Sequence, residues 1–157
     1  MYTASLAQIK KDLKDVDYDT LMDFCLKLAK YKVETKEYLS FLLYDAEAPQ
    51  PYIESIKEWI TLEIQEINRS NTYYIKKGLR KIQRKITKWA KFLNNKELEL
   101  QLWIYFCQQI QKAGIPYFSQ PMLGTIMNQL LKKIDTLIAT LHEDLQYDYT
   151  QERNELV

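Results

Sequence analysis

Apolar residues recur three and four positions apart along most of the chain, the spacing of one buried helix face, and short polar or proline-bearing breaks divide the pattern into segments. Leu6, Ile9 and Leu13 predict a short amphipathic helix ending near Asp15. Leu21, Phe24, Cys25 and Leu28 predict a second, with Asp17 or Asp19 as its N-cap. Thr35 is the expected cap of a third, which carries Tyr38, Leu39, Leu42 and Leu43 to about Glu47. The break Ala48-Pro-Gln-Pro51 stops it and opens a fourth, since proline is tolerated in a first helical turn. Ile53, Ile56, Ile60, Ile64 and Ile67 form that helix's stripe.

After the turn Asn68-Arg-Ser-Asn71, the segment 73–93 reads as a fifth helix. Asn94 followed by Glu97 resembles a capping box for a sixth, whose expected buried side is Leu98, Leu102, Tyr105, Phe106 and Ile110. Gly114 and Pro116 end it. Ser119 and Pro121 start a long final helix in which Leu123, Met127, Leu130, Ile134, Leu137 and Leu141 form a heptad-like seam. The 123–141 seam reads mainly as intramolecular core, with a homodimer interface as its alternative.

These segments predict an all-α fold of about seven antiparallel helices. It is either a helical bundle built on the four longer C-terminal helices or a short irregular stack of α-hairpins. Residues 1–150 are expected to form a single domain, and 151–157 a polar, frayed tail. With 157 residues, 46% of them apolar and 13% aromatic, the chain is no disordered tail. Three glycines and four prolines leave little material for barrels or glycine-rich ligand loops.

Charge sharpens the picture at the fifth helix. The overall charge is +1, but residues 1–68 carry −5, 69–96 carry +10 with no acidic residue, and 97–157 carry −4. At about 100° per residue, Lys76, Lys77, Arg80, Lys81, Arg84, Lys85, Lys88 and Lys91 fall within roughly one half-circle over about 22 Å of helix. Tyr73 falls in the middle of that face. Ile75, Leu79, Ile82, Ile86, Trp89 and Leu93 fall within roughly 80° on the other side. One face is built for burial, the other for positive charge.

An acidic partner protein is the leading expectation for this face, with Ile82, Ile86 and Trp89 anchoring the helix from below. Sequence-tolerant RNA or DNA binding is the alternative, with Tyr73 available to stack on a base. Lysine exceeds arginine six to two on the face, which is poor material for reading base edges. A membrane-surface helix fits in isolation, but it needs the same apolar stripe that the core needs. The remaining possibility is a purely structural, solvated face neutralised by Glu54, Glu58, Glu63 and Glu66 of the preceding helix.

The residues point away from an enzyme. His142 is the only histidine, and its neighbours Glu143 and Asp144 point elsewhere around a helix; it reads as a helix-end histidine favoured by the dipole. No Glu-x-x-His, Walker, GxGxxG or GxSxG pattern occurs, so no catalytic residue and no cofactor are expected. Cys25 and Cys107 lie in apolar runs without CxxC spacing, which predicts buried free thiols and no metal. Among twelve tyrosines, Tyr31, Tyr44, Tyr52, Tyr147 and Tyr149 are expected near helix ends. The first residues lack a signal peptide's apolar core, and no apolar run is long enough to span a bilayer, so a cytoplasmic protein is expected.

Overall fold

The computed structural model describes residues 3–156, and among these every regular element is an α-helix. Eight helices are present where the apolar pattern predicts about seven. The chain separates into two compact units, Met1–Glu47 and Ala48–Val157.

In the first unit, α1 (Leu6–Leu13) and α2 (Tyr18–Tyr31) begin at side-chain caps. Ser5 Oγ accepts from the Gln8 backbone N–H at 3.2 Å, and Asp17 Oδ1 accepts from that of Thr20 at 2.9 Å. Helix α3 (Val33–Tyr44) follows α2 across Lys32, whose extended backbone turns the chain so that the two helices pack together. Thr35 is therefore not the cap of α3. It lies inside the first turn, and its hydroxyl donates to the Lys32 carbonyl at 3.1 Å. Among the described residues of this unit Phe41 is the buried side chain, with the Tyr38 ring stacked 6.5 Å away.

The second unit is built around α6 (Lys96–Lys112), which packs against α4 (Gln50–Gln65), α5 (Thr72–Leu93) and α7 (Pro121–Ile138). Helix α8 (Glu143–Asn154) packs on α7. Being central, α6 buries more than the single stripe its spacing suggests: Leu100, Leu102, Trp103, Ile104, Phe106, Cys107, Gln109 and Ile110 are all buried, while Leu98 and Tyr105 are only partly so. The stripes of α4 and α5 enter the same core as expected. Their approach is close at Gly78, where a Cβ would stand 2.8 Å from Ile67 Cγ1. Glycine weakens a helix interior by about 1 kcal/mol relative to alanine, and here it makes room for Ile67.

Two boundaries differ from the sequence pattern. Asn94 adopts a left-handed conformation (φ 46°, ψ 38°) and closes α5, so Asn95 caps α6 instead, accepting from the Leu98 N–H at 3.0 Å. The final helix is broken between Ile138 and Glu143. His142 consequently stands at the N-terminus of α8, its Nδ1 3.4 Å from the Asp144 backbone nitrogen, and not at a helix end where the dipole favours a cation. Leu123, Met127, Leu130, Ile134 and Leu137 of the seam are buried in this unit's own core, which leaves no apolar stripe there for a homodimer. The tail expected to fray stays helical to Asn154, and Leu156 is buried.

Candidate anion-binding cleft

Helix α5 holds its basic face out by burying Ile75, Leu79, Ile82, Ile86 and Ala90 beneath it. Trp89 packs edge-on against Trp59 of α4 at 4.9 Å, so the helix is fixed along its length. The eight cations on the outer side do not share one environment.

On the flank facing α4, Lys81 Nζ lies 2.6 Å from Glu63 Oε2. Glu63 and Glu66 line this side together with Tyr74, Lys77, Lys81 and Arg84. Glu54 is occupied by Lys57 of its own helix at 2.9 Å. Of the four glutamates expected to neutralise the face, Glu63 alone forms an ion pair with it among the described residues. By the helical period Lys85 and Lys88 follow Lys81 on this flank, half-buried, with the Lys88 ammonium 5.9 Å from the Trp89 ring centroid.

On the opposite flank, α5 and α7 form the walls of a cleft of about 620 Å³ with Trp103 of α6 among its lining. Lys77, Arg80, Gln83, Arg84 and Thr87 come from α5, and Gln129, Leu130 and Lys133 from α7. Among the described residues no carboxylate lines it. Arg80 Nη2 donates to Gln129 Oε1 at 3.1 Å, a neutral partner that leaves the guanidinium charge uncompensated. A second hollow of about 330 Å³ shares Thr87 and Lys133 with the first and runs to Lys91 and Lys96 past Asn94 and Asn95.

Lys133 is held in place from below. Its ammonium lies 3.1 Å from Glu99 Oε1 and 4.8 Å from the Trp103 ring centroid. The Trp103 indole N–H donates to the same Glu99 oxygen at 3.2 Å, and Lys96 reaches the other at 3.6 Å. Burial pushes the Glu99 carboxyl up, but the Lys133 and Trp103 hydrogen bonds and the nearby positive charges outweigh it and hold the group below the usual carboxylate range. Gln83 Oε1 is buried without a donor, the one buried side-chain nitrogen or oxygen in that state among the described residues.

The structure thus gathers Lys77, Arg80 and Arg84 into the cleft, puts Lys91 in the adjoining hollow with Lys96 and Glu99, and sets Lys81, Lys85 and Lys88 on the other flank. Lys76 is half-buried and lines neither hollow. Tyr73 is exposed at the start of α5, edge-on to Tyr74 at 5.4 Å, and does not line the cleft. Sequence reasoning misses Lys133, Gln83, Thr87 and Gln129. Lys133 sits in an ordinary helical pattern 42 residues beyond Lys91, with no local signal to join it to the basic helix.

Elsewhere, Cys107 is a fully buried free thiol pushed up to about 12 by burial, and Cys25 is free and half-buried. Tyr149 is buried within α8, donating to Glu97 Oε1 and accepting from Gln101 Nε2, each at 3.0 Å; Tyr31, Tyr44 and Tyr147 are exposed. No group of three His, Cys, Asp or Glu among the described residues is placed to hold a metal ion, and no helix is long and apolar enough to cross a membrane. Comparison with protein-family models, curated proteins and solved structures finds no match to this chain.

Proposed function

We propose that this protein is a non-enzymatic, cytoplasmic interaction module that takes an acidic segment of a partner protein in the cleft between α5 and α7. The observation carrying this reading is the cleft lining: Lys77, Arg80, Arg84 and Lys133 line it and, among the described residues, no carboxylate does. Surface cations usually stand among acids, because opposite charges one turn apart stabilise a helix. Here Arg80 meets only a neutral amide, and with Lys77, Arg84 and Lys133 on two facing helices it makes the cleft lining positive, a field that attracts anions.

The surroundings favour a narrow occupant. Glu63 and Glu66 border the basic face on one side. A duplex or a membrane presents negative charge over a breadth that brings it against such acids. An extended acidic peptide meets the cleft alone.

Fluorescence anisotropy tests the reading. Labelled Asp/Glu-rich peptide, mixed-sequence RNA and duplex DNA are titrated at about 50 and about 200 mM salt. The acidic peptide is expected to bind more tightly than either nucleic acid and to lose binding in Arg80→Glu/Arg84→Glu. Tighter nucleic-acid binding, with a log–log salt slope near about −0.9 per phosphate contacted on duplex DNA, would replace this reading. No binding of any probe would leave the face structural.

A further inference from the structure

Resting on the proposal that the cleft takes an acidic segment, we infer that the group it is built to hold is a phosphate dianion, as on a phosphorylated serine or threonine of the partner. Three features of the cleft point to phosphate in place of a carboxylate.

The first is the number and direction of the donors. Arg80 and Arg84 are one turn apart on α5, about 6 Å along the axis, and Lys133 stands on the facing helix with Lys77 at one end. A carboxylate has two oxygens in one plane and is matched by a single arginine fork. Phosphate on a side chain carries about two negative charges and three terminal oxygens, and takes donors from several sides. Four cations line the cleft itself, while the neighbouring carboxylates, Glu99 on Lys133 and Glu63 and Glu66 beside Lys77 and Arg84, stand at its borders, so the lining keeps a positive surplus.

The second is preorganisation. Lys133 is held by Glu99 and by the Trp103 face, and Arg80 is steadied by the Gln129 amide oxygen. Side chains fixed before binding lose less freedom on meeting a ligand, and a fixed fork selects geometry as well as charge. The cleft volume of about 620 Å³ admits a phosphorylated side chain with flanking backbone and far exceeds a bare ion.

The third is Gln83. It lines the cleft while its Oε1 is buried without a donor. Gln83 thereby adds an amide side chain to the cleft lining, and its N–H₂ group is a donor of the kind a phosphate oxygen accepts from.

The test compares three fluorescein-labelled degenerate acidic peptides, identical except for phosphoserine, glutamate or serine at a fixed central position. Single-stranded RNA and vesicles containing a phosphoinositide run beside them. The phosphoserine peptide is expected to bind at least about tenfold more tightly than the glutamate peptide. In Arg80→Lys/Arg84→Lys, which keeps the charge and removes the forks, the advantage is expected to fall below about threefold. Equal affinity for phosphoserine and glutamate overturns the phosphate inference while the acidic-partner reading stands. Failure of both peptides overturns the two together. RNA or vesicles binding more tightly than the phosphopeptide overturns the inference in favour of that phosphate source.

Discussion

Lys81 Nζ and Glu63 Oε2 stand 2.6 Å apart, and this pair divides the basic face of α5 into a neutralised flank and an open one. Arg84, one turn from Arg80, lines the open cleft as well as the hollow that Glu63 and Glu66 border. Lys81→Ala is therefore expected to weaken acidic-peptide binding by less than about twofold, and Arg84→Ala by about tenfold, or about 1.4 kcal/mol. Since the Lys81 side chain is half exposed, its loss should lower stability by no more than about 1 kcal/mol in urea denaturation.

Glu99 gives the protein a predicted pH response. Its carboxyl is held below the ordinary value near 4.5 by Lys133 and Trp103 against the opposing effect of burial. A group whose pKa is depressed on folding contributes stability above its unfolded pKa, and that contribution is lost as pH falls through the folded pKa. Glu99→Gln is expected to destabilise the protein by about 1.5 to 3 kcal/mol at pH 7, in line with loss of charge-assisted hydrogen bonds. The gap from wild type should narrow as pH falls from the ordinary value near 4.5 through the depressed native one. Chemical denaturation at neutral and acid pH measures both.

Asn94 tests how α5 ends. A left-handed residue with a side chain is strained unless it is glycine or a short polar residue. Asn94→Gly should leave stability within about 0.5 kcal/mol of wild type or raise it, and Asn94→Ala should lower it by about 1 kcal/mol. Thermal melting of the two variants separates them.

The last residues are predicted to be structural. Leu156 is 1% exposed, and Arg153 Nε lies 2.7 Å from Asp135 Oδ1, tying α8 to α7. Leu156→Ala is expected to lower stability by about 2 kcal/mol or more. A terminus that merely frays would show no loss in the same denaturation experiment.

The basic helix was legible because its two faces follow a single local period: Ile75 to Leu93 on one side and the lysines and arginines on the other. What lay beyond local pattern was which of those cations stay open. That depends on Glu63 reaching across from α4 and on Lys133 arriving from α7, contacts between residues far apart in the chain. The α7–α8 break was hidden for a related reason. Ala139 and Thr140 hold no glycine or proline, and the apolar spacing runs on from Leu137 to Leu141, so only the Thr140 hydroxyl bonding the Leu137 carbonyl and the new start at His142 mark the corner. The single buried stripe expected for α6 failed because a helix packed against three neighbours is apolar on most sides.

The most direct test of the proposed function is to map where an acidic peptide lands. In nitrogen-15 NMR of the whole protein, adding the degenerate phosphoserine peptide should shift the backbone signals of Arg80, Gln83, Arg84, Thr87, Gln129 and Lys133 together with the Trp103 indole N–H, leaving Lys81 and Lys85 nearly unmoved. Shifts spread evenly over the α5 face, shifts centred on the Glu63–Lys81 flank, or none at all, would contradict a cleft between α5 and α7 as the binding site.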